Sequence, residues 1–223
     1  MSAILPHTDG GLLTPDNCAL VMIDHQPQML FGVGSGIDRQ QLINNVLLLG
    51  KSAQEFAVPT ILTTVETESF SGPMWPQLLD IFPDRTPIER TSMNSWDDAS
   101  FRAAIEATGK KNILLSGLWT EVCICWPTLN MINEGYNIYV VEDACGGTSA
   151  EAHNASLSRM TQAGAVRMTT IGTILEFQRD WAHKDHYDAL MGLLREHGGA
   201  YGAGVEYCGT MVHKAPAHRK VLV

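Results

Sequence analysis

The run Leu114-Leu115-Ser116-Gly117-Leu118-Trp119-Thr120-Glu121-Val122-Cys123-Ile124-Cys125 decides how this chain is read. Its first part is an apolar strand pattern and its middle a glycine-containing turn. Cys123 then falls in the first turn of an expected helix. Strand, turn and helix in that order form one unit of a parallel α/β sheet. Such sheets bind ligands outside the carboxyl ends of their strands, so a thiol at this turn stands on the ligand side. The positive end of the helix dipole would favour its thiolate form. Free cysteine is also among the most buried residue types, so a packing role fits the position equally well.

The same alternation extends in both directions. Cys18-Ala19-Leu20-Val21-Met22-Ile23 is a continuous apolar run ending in Asp24-His25-Gln26-Pro27, as expected of a strand buried on both faces. Asp38 can cap a helix over residues 39–56, where Leu42, Val46, Leu49, Ala53 and Phe56 recur near helical spacing. Further strands are expected over 58–64, 112–116, 137–143 and 166–170. Further helices are expected over 96–109, from Cys123 to about Gly135, over 150–163, and largely over 174–197. Residues 66–90, rich in proline and serine, read as a loop with a short helix. The expected fold is a three-layer α/β sandwich with a mostly parallel, Rossmann-like central sheet of about six strands. One domain over residues 1–197 is followed by a glycine-rich extension over 198–223.

Bulk composition narrows the function. The chain has 223 residues, 45% hydrophobic and 17% charged, which fits one well-packed domain. A net charge of -9 argues against a nucleic-acid or anionic-membrane surface. No apolar run is long enough to span a bilayer. The start, Met1 to His7, lacks a basic region followed by an apolar stretch, so no signal peptide is expected. Five cysteines, at 18, 123, 125, 145 and 208, show neither a disulfide-framework nor a zinc-ligand spacing. A reducing, cytoplasmic setting is the simplest reading.

Three segments bring reactive groups to strand ends: Asp24 after the first strand, Cys123 after the central one, and the loop Glu89-Arg90-Thr91-Ser92-Met93-Asn94-Ser95-Trp96. A cysteine hydrolase needs an activated nucleophile, a proton acceptor and donors for an oxyanion. Asp24 can take a thiol proton and return it to a leaving amine. Arg90 can stabilise negative charge but cannot shuttle protons. The Trp119 and Cys123 amides are candidate oxyanion donors. Gln26, Asn94 and Trp96 are candidate pocket residues. Bland alternatives stand beside each: Asp24 as a turn cap, Arg90 in a surface ion pair, Trp96 as core.

These segments resemble the isochorismatase-like cysteine hydrolases, most closely the YcaC-type branch. The matching stretches are Val21–Gln26, Pro59–Thr64, Arg90–Trp96, Gly117–Cys123 and Arg159–Ala165, within roughly residues 14–195. The resemblance implies an Asp–Lys/Arg–Cys triad carried by Asp24, Arg90 and Cys123, with arginine where much of the superfamily has lysine. It also implies a cis peptide between Leu118 and Trp119, a small-molecule substrate with an amide, ureide or carbamoyl C–N bond, and a homo-oligomer built as an octamer of two stacked rings. For assembly, Trp75, Trp126, Trp181 and the glycine-rich tail are candidate interface anchors.

Rival readings remain. Vinyl-ether hydrolysis of the isochorismatase type needs no cysteine nucleophile. A ligand-sensing or assembly protein could retain the fold without catalysis, and an inert thiol would favour it. Neither a cofactor nor a catalytic metal is expected. His183 and His186 are the candidate ligand pair, at i,i+3 on an expected helix. Cys123 and Cys125 lie about 200° apart on a helix, so an intrachain disulfide between them is not expected.

Overall fold

The computed structural model describes residues 5–213. Its centre is a six-stranded sheet, parallel throughout, in the order β3-β2-β1-β4-β5-β6. The strands are β1 (Cys18–Ile23), β2 (Thr60–Val65), β3 (Ile88–Arg90), β4 (Asn112–Leu118), β5 (Asn137–Gly146) and β6 (Val166–Met168). Every residue of β1, β2 and β4 is buried, which explains their continuous apolar runs.

The helices are α1 (Pro27–Phe31), α2 (Arg39–Glu55), α3 (Pro76–Ile81), α4 (Ala99–Ala107), α5 (Cys125–Asn133), α6 (Ala150–Ala163), α7 (Thr170–Gln178), α8 (Tyr187–His197) and α9 (Gly199–Tyr207). Helices α3, α7 and α8 gather around α2, while α5 packs on α6. Asp38 accepts a hydrogen bond from the Gln41 amide and starts α2, whose Leu42, Val46, Leu49 and Ala53 are buried. Ser149 caps α6 in the same way, accepting from the Ala152 amide.

Four local expectations change. Residues 66–90 contain not only a short helix but also β3, an edge strand of three residues, too short to show any alternation. The segment over 174–197 is broken: α7 stops at Gln178, Arg179 adopts a φ of 60°, and α8 begins only at Tyr187. His183 and His186 therefore do not share a helix face; His183 lies in the intervening loop and His186 at the α8 N-cap. Cys123 sits in a π-helical turn, Thr120–Ile124, that precedes α5 rather than in the α-helix itself.

Of the expected interface tryptophans, Trp75 is buried in the core and Trp126 packs partly against it, while Trp181 is 40% exposed. Past Gly198 the chain forms α9, which packs on α8, and a π-turn over Cys208–Val212. Residues 214–223 of the expected extension, and the first four residues of the chain, lie outside the described residues.

Strand order reverses direction between β1 and β4, and ligand crevices of open α/β sheets form at such a point. The two strands pair from Cys18↔Asn112 to Ile23↔Gly117. At the carboxyl end, a Cβ on residue 117 would lie 2.3 Å from the Ile23 carbonyl oxygen. Glycine there lets the strands carrying Asp24 and Cys123 close up.

Candidate active site

Three strand ends converge at this crevice. Asp24 follows β1 with a φ of 55°, a left-handed conformation that aspartate adopts more readily than most residues. Its amide donates to the Thr63 carbonyl at 2.9 Å, which ties the turn to β2. Arg90 ends β3, paired in register with Val65. Its Nη2 donates to Asp24 Oδ2 at 2.6 Å, and both side chains are fully buried. Its Nη1 donates to the Ser92 carbonyl. Cys123, 3% exposed, lies beside the Asp24 carboxylate. Asp24 Oδ1 and Arg90 Nε make no well-aligned hydrogen bond among the described residues. Asp24, Arg90 and Cys123 thus form one enclosed cluster.

Burial sets the protonation states. It pushes the Asp24 carboxyl up to about 6, against the opposing pull of Arg90 and a hydrogen bond with Cys123. Burial also pushes the Cys123 thiol up, and the neighbouring Asp24 charge adds to this; Arg90 only partly offsets them. These directions oppose the pull of the helix dipole toward thiolate. Loss of water outweighs the field of a turn whose Cys123 amide is already bonded. Above about pH 6 the resting pair is a carboxylate next to a protonated thiol.

The Leu118–Trp119 peptide is cis. The Trp119 carbonyl accepts from the Cys123 amide at 2.9 Å and from Val122 at 3.1 Å. The Cys123 amide is therefore engaged in the resting turn, whereas the Trp119 amide faces the Cys123 thiol and pulls its pKa down. The Trp119 indole donates to the Met29 carbonyl at 2.8 Å.

The three expected pocket residues are occupied elsewhere. Gln26 is fully buried: its Oε1 accepts from the Val65 amide, and its Nε2 donates to the Val65 and Gly72 carbonyls. Asn94 spans to Asn130 at 2.8 Å and accepts from the Trp96 amide. Trp96 packs on Phe101 and Tyr136 while its indole donates to Glu134 at 2.7 Å. The polar groups of all three are thus engaged inside the protein.

Two polar residues near the cluster, His25 and Ser116, stand in quoted stretches whose pattern assigns them no role. Ser116 donates to the Ala144 carbonyl at 2.8 Å, so its oxygen accepts from His25 Nε2 at 3.0 Å. Burial pushes His25 down to about 3, which keeps it neutral beside Asp24. A cleft of about 680 Å³ lies along the ends of β2 and β3, lined by Thr64, Glu66, Glu89 and Thr91 among others; no member of the Asp24–Arg90–Cys123 cluster lines it.

The isochorismatase domain model matches residues 18–171, a span that contains the whole cluster. The chain belongs to the isochorismatase family. It is 38% identical to the "Probable hydrolase YcaC" of Escherichia coli (strain K12), over 83% of this chain and 88% of that protein. The solved YcaC gene product of Escherichia coli, described as an octameric hydrolase of unknown specificity, superposes with a TM-score of 0.84 at 37% identity, covering 89% of this chain and 97% of that one. YcaC from Pseudomonas aeruginosa, solved with hexane-2,5-diol and covalent acrylamide, gives the same TM-score at 35% identity, covering 89% and 98%. The parallel sheet and its helical layers are thus those of the isochorismatase family.

Proposed function

We propose that this isochorismatase-family chain is a cysteine hydrolase of small amide, ureide or carbamoyl C–N bonds. The observation that carries the reading is the buried meeting of Asp24, Arg90 and Cys123 from three separate strand ends. Because the thiol rests protonated, deprotonation accompanies attack: Asp24 takes the proton as Sγ bonds to the substrate carbonyl carbon. The Trp119 amide binds the developing oxyanion. The Cys123 amide joins it by sharing its hydrogen between the oxyanion and the Trp119 carbonyl. Asp24 then gives the proton to the leaving nitrogen, the C–N bond breaks, and a thioester remains. Water, deprotonated by Asp24, hydrolyses that thioester to a carboxyl product and free thiol. Arg90 keeps the Asp24 carboxylate ionised near neutral pH and fixes its orientation.

The cysteine must stay reduced, and the unpaired Cys18, Cys123, Cys125, Cys145 and Cys208 support a reducing, cytoplasmic setting. The likeness to the octameric Escherichia coli YcaC supports homo-oligomerisation, with an octamer as the assembly. A second reading, a non-catalytic ligand-sensing protein, is favoured by the enclosed, protonated thiol. Incubating the protein with a panel of small amides and ureides separates the two. Release of ammonia, together with an acyl adduct on Cys123 by intact-mass spectrometry, supports the hydrolase. Reversible binding without either supports the sensor.

A further inference from the structure

The turn that carries Cys123 is gripped from behind by α6 and the loop that leads into it. Thr120, the first residue of the turn, is fully buried, and its hydroxyl lies 2.8 Å from His153 Nδ1. His153 occupies the first turn of α6, and its own amide donates to Ser149, the α6 cap. The next turn residue, Glu121, reaches the preceding loop, where its Oε1 accepts from both the amide and the hydroxyl of Thr148. Gly147 makes room for this convergence. A Cβ there would lie 2.8 Å from Glu121 Oε2 and 3.0 Å from His153 Cβ. Two consecutive residues ahead of the nucleophile are therefore tied to one rigid helix start.

We propose that His153 is a positioning residue for Cys123: its hydrogen bond to Thr120 holds the π-turn so that the thiol stays enclosed beside Asp24. Burial lowers the His153 pKa, Glu121 and Glu142 oppose that shift, and Arg167 reinforces it, so the imidazole is neutral near pH 7. A neutral ring gives this contact the strength of an ordinary hydrogen bond. The inference rests on Cys123 being the working thiol, but its test needs no substrate.

The experiment is alkylation of the intact protein by iodoacetamide at pH 8, with rates at Cys123 and Cys145 read separately by peptide mass spectrometry. Cys145 is fully buried in β5 and reports global opening. Removing the contact by Thr120→Val or by His153→Leu is expected to speed Cys123 alkylation about tenfold, the effect of one lost hydrogen bond, with Cys145 unchanged. The double variant is expected to react no faster than either single one, since both remove the same contact. His153→Asn, which can place a polar atom where Nδ1 stands, is expected to restore the wild-type rate. The proposal is overturned if Cys123 reacts at the wild-type rate in both single variants, if the two effects multiply, or if Cys145 accelerates in parallel. Failure of every amide in the substrate panel would remove the hydrolase reading and leave this result standing.

Discussion

Replacing Arg90 by Met removes the guanidinium that holds Asp24 Oδ2, and the cost should depend on pH in a defined direction. Folding raises the Asp24 pKa from 3.8 to about 6. A carboxyl raised on folding contributes stability that is complete below its unfolded value and lost as pH rises through the folded one. At about 1.4 kcal/mol per unit, the wild-type chain gives up about 3 kcal/mol between pH 4 and pH 6. Without Arg90 the folded pKa climbs further, because its charge and hydrogen bond were the forces lowering it, so the loss continues to higher pH. Breaking a buried pair costs about 3–5 kcal/mol when the orphaned partner is charged. At pH 8, where wild-type Asp24 is ionised, Arg90→Met should lose stability in that range. At pH 5, where Asp24 is already protonated in both proteins, the loss should shrink to about 1–2 kcal/mol, from packing and the Ser92 contact. Urea unfolding of both proteins at pH 5 and pH 8, at one fixed protomer concentration, measures the difference. Equal destabilisation at the two pH values, with unchanged slopes, would refute the reasoning that burial of an ionised Asp24 is what Arg90 offsets.

Four further outcomes are expected. Cys123→Ala should abolish amide turnover with circular dichroism unchanged, whereas Cys125→Ala, whose thiol faces Arg159 instead of Asp24, should keep most of it. Activity should fall about tenfold per unit below pH 6, because Asp24 must be unprotonated to act as base; a flat rate down to pH 4.5 would assign the base elsewhere. Gln26→Leu strands the Val65 amide and carbonyl and the Gly72 carbonyl, and should lower stability by about 2–4 kcal/mol in urea titrations. Light scattering at low micromolar concentration should give the mass of an octamer, and a stable, fully active monomer would rule out obligate assembly.

The long strands were legible because burial on both faces leaves an uninterrupted apolar record, as in Cys18–Ile23 and Asn112–Leu118. Strand β3 left none: three residues at a sheet edge, after a proline, carry no period. The reactive cluster could be read as far as its residue types and strand ends, and the family resemblance supplied the pairing. The internal partners of Gln26, Asn94 and Trp96 were not legible. Nearness to a reactive residue along the chain does not tell whether a side chain's hydrogen-bonding groups are already used inside the protein. The burial of Cys123 was hidden for a related reason, since a helix dipole can be inferred from local sequence but the depth of burial depends on distant elements. His153 lies 30 residues from the thiol whose turn it touches, and no spacing rule joins them.

The Asp24–Arg90 bond also has a mechanical side. Its two ends follow β1 and close β3, so it reaches over the end of β2 and fastens the short outermost strand to the middle of the sheet. That strand has only three residues of ladder to hold it. If it frays, Arg90 moves away and Asp24 loses the charge that pulls its pKa down. On the cysteine-hydrolase reading proposed above, a chain whose edge strand is undocked would lack an ionised base beside Cys123. The contact that would ready the thiol is the same one that ties the outermost strand to the centre of the sheet.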